Sequence, residues 1–286
     1  MFVFSFTIYE LRITIYERKL RNTNLMTSLL LIGCGNMGSA MLLSWQKNPA
    51  CGISDFHIID NHHSTEGWFY GTLSEIPNNI KPDVIVFSVK PQQLTDILPD
   101  YKKRFGTEPL YISIAAGKTL DFFAEHLGSD AKVVRAMPNT PALVGKAITS
   151  LCANKNVSDT GKQSANALME AIGKTVWVDE NDMDAVTAIS GSGPAYVFLF
   201  LEALTKAGIN AGLDAGIAKT LAFEMMHGSL HLAAKSDEPY EKLRQNVTSK
   251  GGTTEAALEI LMKDNTLEKL VDEAVKAAIK RTKTLA

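Results

Sequence analysis

Cysteine is scarce in this chain of 286 residues: Cys34, Cys51 and Cys152 are the three present. So few, so scattered, they exclude a disulfide framework and a zinc site, and no metal centre is expected. Reduced thiols in a cytoplasm are their expected state. Surplus charge of either sign is missing too. Lys and Arg number 29 against 31 Asp and Glu, a net charge of −2. That balance supplies no basic field for nucleic acid or an anionic membrane surface, so small molecules and proteins are the expected partners. A secretory pattern is also lacking. "MFVFSFTIYELRITIYERKLRNTNL" opens apolar and then carries Glu10, Arg12, Glu17, Arg18 and Lys19, the reverse of a basic start followed by an uncharged run. The stretch is too short and interrupted to span a bilayer. Its "TIYE" at 7–10 and 14–17 is too short to define a repeat architecture. Residues 1–25 are therefore read as an extension or a misassigned start, with the working chain beginning at Met26.

What is present is ordinary globular composition, 45% hydrophobic and 21% charged, in a length suited to one large or two moderate domains. The run "LLLI" at 29–32 has the look of a buried parallel strand. Further strands are predicted at 56–60, 83–89, 110–116, 132–138 and 147–153, with helices at about 38–47, 92–104 and 119–127. Strands alternating with helices imply βαβ units and a parallel sheet. After "GKTVWVDEND" (173–182) the texture changes to helical periodicity, at about 184–208, 214–235, 238–247, 253–263 and 266–283. The fold class is accordingly α/β: a Rossmann-type doubly wound parallel sheet over 26–180, followed by an all-helical domain over 181–286.

The first candidate site is "IGCGNMGSAM" (32–41), where Gly33, Gly35 and Gly38 take G-x-G-x-x-G spacing between a strand and a helix. The first glycine permits the tight turn, the second lets backbone approach a pyrophosphate, and the third allows close helix–strand packing. With Asn36 and Met37 they form a dinucleotide cradle at a helix N-terminus, where unpaired N–H groups meet phosphate. Asp60 ends the second strand, where an acid bonds ribose hydroxyls and favours NAD. Asn61, His62, His63 and Ser64 follow and offer a phosphate pocket or a solvated loop, so NADH against NADPH stays open. Val89, Lys90 and Pro91 close the third strand at the carboxyl end of the sheet, where open α/β sheets bind ligands. Ala115 and Ala116 end the fourth with small side chains that let a nicotinamide approach. Asn139 follows the fifth, in a turn stiffened by two prolines.

A second candidate site lies in the helical half. "AISGSGPAYVFLFLEAL" (188–204) sets Ser192 among small residues before a helix whose sole charge is Glu202. A helix so apolar must be buried on several sides, which points to a subunit interface as well as a core. "VTSKGGTTEAAL" (247–258) is another glycine and hydroxyl helix entrance. Backbone N–H groups of Gly252, Thr253 and Thr254 would converge there on an anion the size of a carboxylate.

Together "GCGNMGSAM", "SVKPQ", "SIAAG", "MPNTPALVG", "AVTAISGSGPAYVFLFLEAL" and "VTSKGGTTEAAL" resemble Δ1-pyrroline-5-carboxylate reductase, in the same order from about Thr27 to the C-terminus. The last two motifs are specific to that family; the glycine fingerprint is not. The resemblance implies reduction of a cyclic imine to L-proline with NADPH or NADH, a Rossmann domain, and a helical domain that forms a homodimer or larger ring. It further implies that Thr254 offers its hydroxyl to the imine nitrogen while amides near Thr253 hold the substrate carboxylate. Three departures stand out. Lys250 replaces the family's usual proline, the span after Asp60 looks short, and "SDEPYEKL" looks one residue long. A β-hydroxyacid dehydrogenase-like enzyme would carry a lysine on the helix after the second glycine motif, and none occurs before Lys206, about three turns on. A non-catalytic dinucleotide-binding protein is the remaining alternative.

Overall fold

The computed structural model describes residues 27–60 and 68–284. The expected extension at 1–25, the start at Met26, and the polar residues Asn61, His62, His63 and Ser64 lie outside the described residues. Contacts divide the chain into two compact units, one running to Gly191 and taking in Arg281 onward, the other Ser192–Lys280.

The first unit is built on one sheet. Its strands are β1 (Ser28–Ile32), β2 (Asp55–Ile59), β3 (Phe69–Tyr70), β4 (Val84–Phe87), β5 (Leu110–Ser113), β6 (Lys132–Met137), β7 (Ala147–Ala153) and β8 (Gly173–Trp177). Their order across the sheet is β3-β2-β1-β4-β5-β6-β7-β8. The chain thus winds outward from β1 in both directions, and the turnabout lies between β1 and β4. Alternation along the strands explains why both faces are dry. Leu29, Leu31, Val84 and Val86 face one core, where they meet Met41 and Trp45 of α1 (Asn36–Lys47) and Leu168 of α4 (Asp159–Glu170). Leu30, Ile32, Ile85 and Phe87 face the other, against Leu94 and Leu98 of α2 (Pro91–Phe105) and Phe123 of α3 (Leu120–Leu127).

Two features depart from the expected all-parallel sheet. β6 and β7 run antiparallel, because the 138–146 connection is shorter than the dozen or so residues a crossover needs. The helix α4 and the strand β8, parallel to β7, were not expected. The α4 sequence, DTGKQSANALME, is too rich in small and polar residues to show a clear stripe; Ser158 starts it by accepting from Gly161 N at 3.2 Å.

The unit does not stop where the sheet does. Glu180 Oε1 accepts from buried Arg135 Nη1 at 2.7 Å and from Leu120 N at 2.6 Å. Beyond it a short helix, α5 (Met183–Val186), runs into a π-turn at Thr187–Gly191, with Met183, Thr187 and Ala188 buried. By its contacts the segment 181–191 groups with the first unit.

The second unit is helical: α6 (Gly193–Asn210), α7 (Ala215–Lys235), α8 (Tyr240–Asn246), α9 (Thr253–Met262) and most of α10 (Thr266–Lys283). Asp214 caps α7 by accepting from Gly216 N at 2.8 Å. Gly208 of α6 lets α7 approach, since a Cβ there would lie 3.1 Å from that of Ala218. Burial is sparse, however. Within this unit Ala218 and Ala222 are the buried apolar side chains, while Phe198 and Leu199 are 64% and 65% exposed.

Candidate active site

The glycine turn of the first unit behaves as its spacing predicts. Gly33 has φ +85°, and a Cβ there would lie 2.7 Å from Ser88 O; one at Gly38 would lie 2.4 Å from Gly33 O. Those two glycines are required by the protein's own backbone. Gly35 differs, because a Cβ there would meet nothing within 4 Å. No described residue fills that space, which suits a ligand lying against the backbone. α1 starts at Gly35 with no side-chain cap and no acid in its first turn. Its first N–H groups and the positive end of its dipole therefore remain for an anion. This is the chemistry a pyrophosphate needs, so the residues fit a nicotinamide dinucleotide.

A cleft of about 580 Å³ lies beside this turn, at the carboxyl ends of β1, β2 and β4. Gly33, Gly35, Asp60, Val89 and Lys90 of the expected set line it. Asp60 is held in place by its backbone, Asp60 N donating to Tyr70 O at 3.0 Å. Its carboxylate Oδ2 accepts from Cys34 N at 2.6 Å and so grips the glycine turn. Burial first, and the Asp60 carboxylate second, hold the Cys34 thiol above its ordinary pKa. It is a protonated packing group and not a nucleophile. Lys90 and Pro91 begin α2, with Gln93 Oε1 accepting from Lys90 N at 3.2 Å. The sequence reading missed Thr72, Ser88, Gln93, Ile97, Asp100 and Tyr101, which also line the cleft. The 93, 97, 100 spacing on one face of α2 was the available signal.

Asn36, Met37 and Gly38 lie in the first turn of α1 rather than in the lining of that cleft, as does Pro91 in α2. Ala115, buried, and Ala116 follow β5, with Ala115 N donating to Ser113 Oγ at 3.2 Å. Asn139 has a structural part that the sequence did not show. It is 8% exposed, and both ends of its amide are committed to the protein. Nδ2 donates to Ser190 O at 3.0 Å, and Oδ1 accepts from Ile148 N at 3.0 Å. It serves as a bracket between the β6–β7 connection and the π-turn.

In the second unit the 247–254 entrance forms a tight turn into α9. Gly251 takes φ +70°. A Cβ on Gly252 would lie 2.5 Å from Ser249 Oγ and 3.0 Å from Ser249 O, so a side chain there would need the Ser249 hydroxyl to turn away. Gly252 N donates to Ser249 O at 3.0 Å, closing the turn. Of the three amides expected to converge there, that of Gly252 thus makes a bond within the turn. Thr253 and Thr254 occupy the first turn of a helix with no side-chain cap, where N–H groups lack internal acceptors. Glu255, not foreseen, reaches back so that Gly251 N donates to its Oε2 at 2.6 Å. Thr254 is half-buried and Lys250 exposed. Ser192 precedes α6, and its carbonyl accepts from Ala195 N at 3.0 Å. Among the described residues, no group of three or more His, Cys, Asp or Glu side chains is placed to hold a metal ion.

Known proteins resemble this chain over most of its length. Residues 180–285 match the family described as pyrroline-5-carboxylate reductase dimerisation. A pyrroline-5-carboxylate reductase of Pseudomonas aeruginosa is 42% identical, over 89% of this chain and 95% of that one. That of Haemophilus influenzae is 36% identical, over 89% and 96%. Among solved structures, a Plasmodium falciparum pyrroline carboxylate reductase with NADP bound has a TM-score of 0.81 at 34% identity, covering 92% of this chain and 99% of its own. One from Coxiella burnetii gives 0.81 at 33%, covering 92% and 99%. With such identity over nearly the whole of each relative, the chain belongs to the pyrroline-5-carboxylate reductase family.

Proposed function

We propose that this chain reduces 1-pyrroline-5-carboxylate to L-proline with NAD(P)H, the last step of proline biosynthesis. The observation that carries the reading is that one chain of this family keeps both helix entrances unblocked: open space at Gly35 and an uncapped start at α9. We read the first unit as the dinucleotide-binding domain and the helical unit as the substrate and dimerisation domain.

Bound NAD(P)H supplies the hydride that adds to C5 of the pyrroline ring. The remaining requirements fall to the protein. The C=N double bond becomes CH–NH, so the nitrogen must gain one proton as the carbon gains hydride. Amides of Thr253 and Thr254 hold the substrate carboxylate, and the Thr254 hydroxyl donates a hydrogen bond to the imine nitrogen. That bond polarises C=N toward attack and lies on the route by which a proton from solvent reaches nitrogen. No charged acid is needed for this. Orientation of a small rigid ring can supply much of the acceleration, since a well-held pair of reactants gains up to roughly 7–11 kcal/mol over a free encounter.

The match to a dimerisation family supports self-association, and the exposed apolar face of α6 supports a homodimer formed through the C-terminal helices. The 180–210 stretch is apolar and long enough to cross a membrane by composition alone. A second copy accounts for the same apolarity within the family match. Three free, buried thiols fit a reducing cytoplasm.

The test is a spectrophotometric assay of the full chain with pyrroline-5-carboxylate and either NADH or NADPH. Loss of reduced nicotinamide with formation of proline is the expected result; no oxidation with either cofactor would remove the proposal. Turnover of an open-chain β-hydroxyacid with NAD(P)+, but none of the imine, would favour a dehydrogenase instead.

A further inference from the structure

We infer that the buried Arg135–Glu180 pair positions the first unit for hydride transfer, through one carboxylate oxygen that ties down the loop after β5. The inference rests on the reading that NAD(P)H binds this unit with its nicotinamide beside Ala115 and Ala116. Arg135 lies in β6 between buried Val134 and Ala136, and is itself 6% exposed. A guanidinium so placed needs a partner. It finds one 45 positions away, where Glu180 Oε1 accepts from Arg135 Nη1 at 2.7 Å. The same oxygen accepts from Leu120 N, 60 positions away, at 2.6 Å. Arg135 Nε is buried as well and has no acceptor among the described residues, an unsatisfied donor that the fold tolerates in order to keep this group here.

Stability does not require the arrangement, because well-packed apolar side chains can replace a buried ion pair at little or no cost. What apolar side chains cannot supply is direction. The loop 114–119 joins β5 to α3 and carries the two alanines. At its start Ile114 N donates to Phe87 O at 3.1 Å, and Ala115 N to Ser113 Oγ at 3.2 Å. At its far end Leu120 N is held by Glu180. Glu180 also begins the run through α5 to the π-turn, where Ser190 O accepts from Asn139 Nδ2 at 3.0 Å. The pair thus fixes, within one unit, the end of β6, the alanine loop and the segment 180–191. A shift of about 1 Å in groups that place a reacting atom can cost roughly 100-fold in rate.

The experiment measures kcat, KM for pyrroline-5-carboxylate and NAD(P)H affinity of the full chain, well below the Tm of each variant. Glu180→Ala removes the acceptor of both bonds, whereas Glu180→Gln keeps an oxygen at the same reach. Arg135→Met combined with Glu180→Leu leaves no buried charge unpaired, which guards against a single variant that fails to fold. Glu180→Ala and the double variant should each lose roughly 10-fold or more in kcat, with cofactor affinity within about 2-fold of wild type. Glu180→Gln should recover most of the lost turnover. A pair that only stabilises the fold would lower Tm and leave the kcat of the folded protein unchanged. Wild-type kcat in either disruptive variant, a loss in cofactor affinity in place of kcat, or a Gln variant no better than Ala overturns the inference. So does failure of both disruptive variants to fold, which would make the pair a folding determinant. Absence of turnover in the wild type overturns instead the reading of the reaction on which the inference rests.

Discussion

Glycines that look alike in the motif do different work, and substitution separates them. At Gly38 an added Cβ meets the Gly33 carbonyl at 2.4 Å. Gly38→Ala is therefore expected to lower stability by about 1–3 kcal/mol, the usual range for overpacking, as a drop in Tm. At Gly35 the added methyl enters open space. Gly35→Ala should leave Tm unchanged and weaken NAD(P)H binding at least 10-fold, measured by fluorescence titration. Equal affinity would mean that no ligand backbone lies against this residue. Thr254 is tested by turnover and not by binding. Thr254→Ala should cost on the order of 100-fold in kcat, as loss of a positioned proton donor does, at unchanged cofactor affinity. Thr254→Ser, which keeps the hydroxyl, should recover most of it. Unaltered kcat in the alanine variant would take Thr254 out of the mechanism.

Elements show how a turn acquires a purpose from its unpaired groups. The start of α9 and the start of α1 both lack a side-chain cap. Each leaves first-turn amides that water or an anion must satisfy. The π-turn at Thr187–Gly191 solves the opposite problem. The Ser190 carbonyl is taken by Asn139 Nδ2, and the Ser190 hydroxyl turns back to Val186 O at 2.9 Å. Asn139→Ala should cost about 1–3 kcal/mol, because it leaves a carbonyl and an amide without partners. Its NAD(P)H affinity should stay within about 2-fold of wild type, as binding titration and thermal melts would show. A large loss of cofactor affinity at unchanged Tm would make Asn139 a cofactor contact as well. Glycine and threonine positions at helix entrances were legible in the sequence because backbone geometry restricts them locally. The bracket by Asn139 was not, since its partners come from 9 and 51 positions away.

At the scale of the whole molecule the helical unit has too little core for its apolar content. Phe198 and Leu199 of α6, Ile217 and Leu221 of α7, and Leu270 of α10 are all exposed. A face of that kind in water signals an interface. Phe198→Glu costs little in an isolated chain, where the side chain is 64% exposed. In an assembly it buries an unpaired charge, which is costly. Light scattering coupled to size exclusion should show the wild type as a dimer or larger and the variant shifted toward the monomer mass. An unchanged mass would place the interface elsewhere.

The amino-acid sequence alone determined the strand-glycine-helix order, the alternation that buries both faces of the sheet, and the two helix entrances. Each depends on neighbours a few residues apart, so local sterics and periodicity suffice. Tertiary structure decided the rest. The antiparallel turn of β7 followed from the short reach of the 138–146 connection. α4 and β8 form without a strong sequence pattern because the β7 edge and the core under α4 accept them. Asn139 and the Gly252 amide were drawn into the protein's own bonding, and Asp60 was tied to Cys34. Those pairings join residues remote in sequence or close a turn whose shape depends on backbone angles, and both are settled only when the chain has folded.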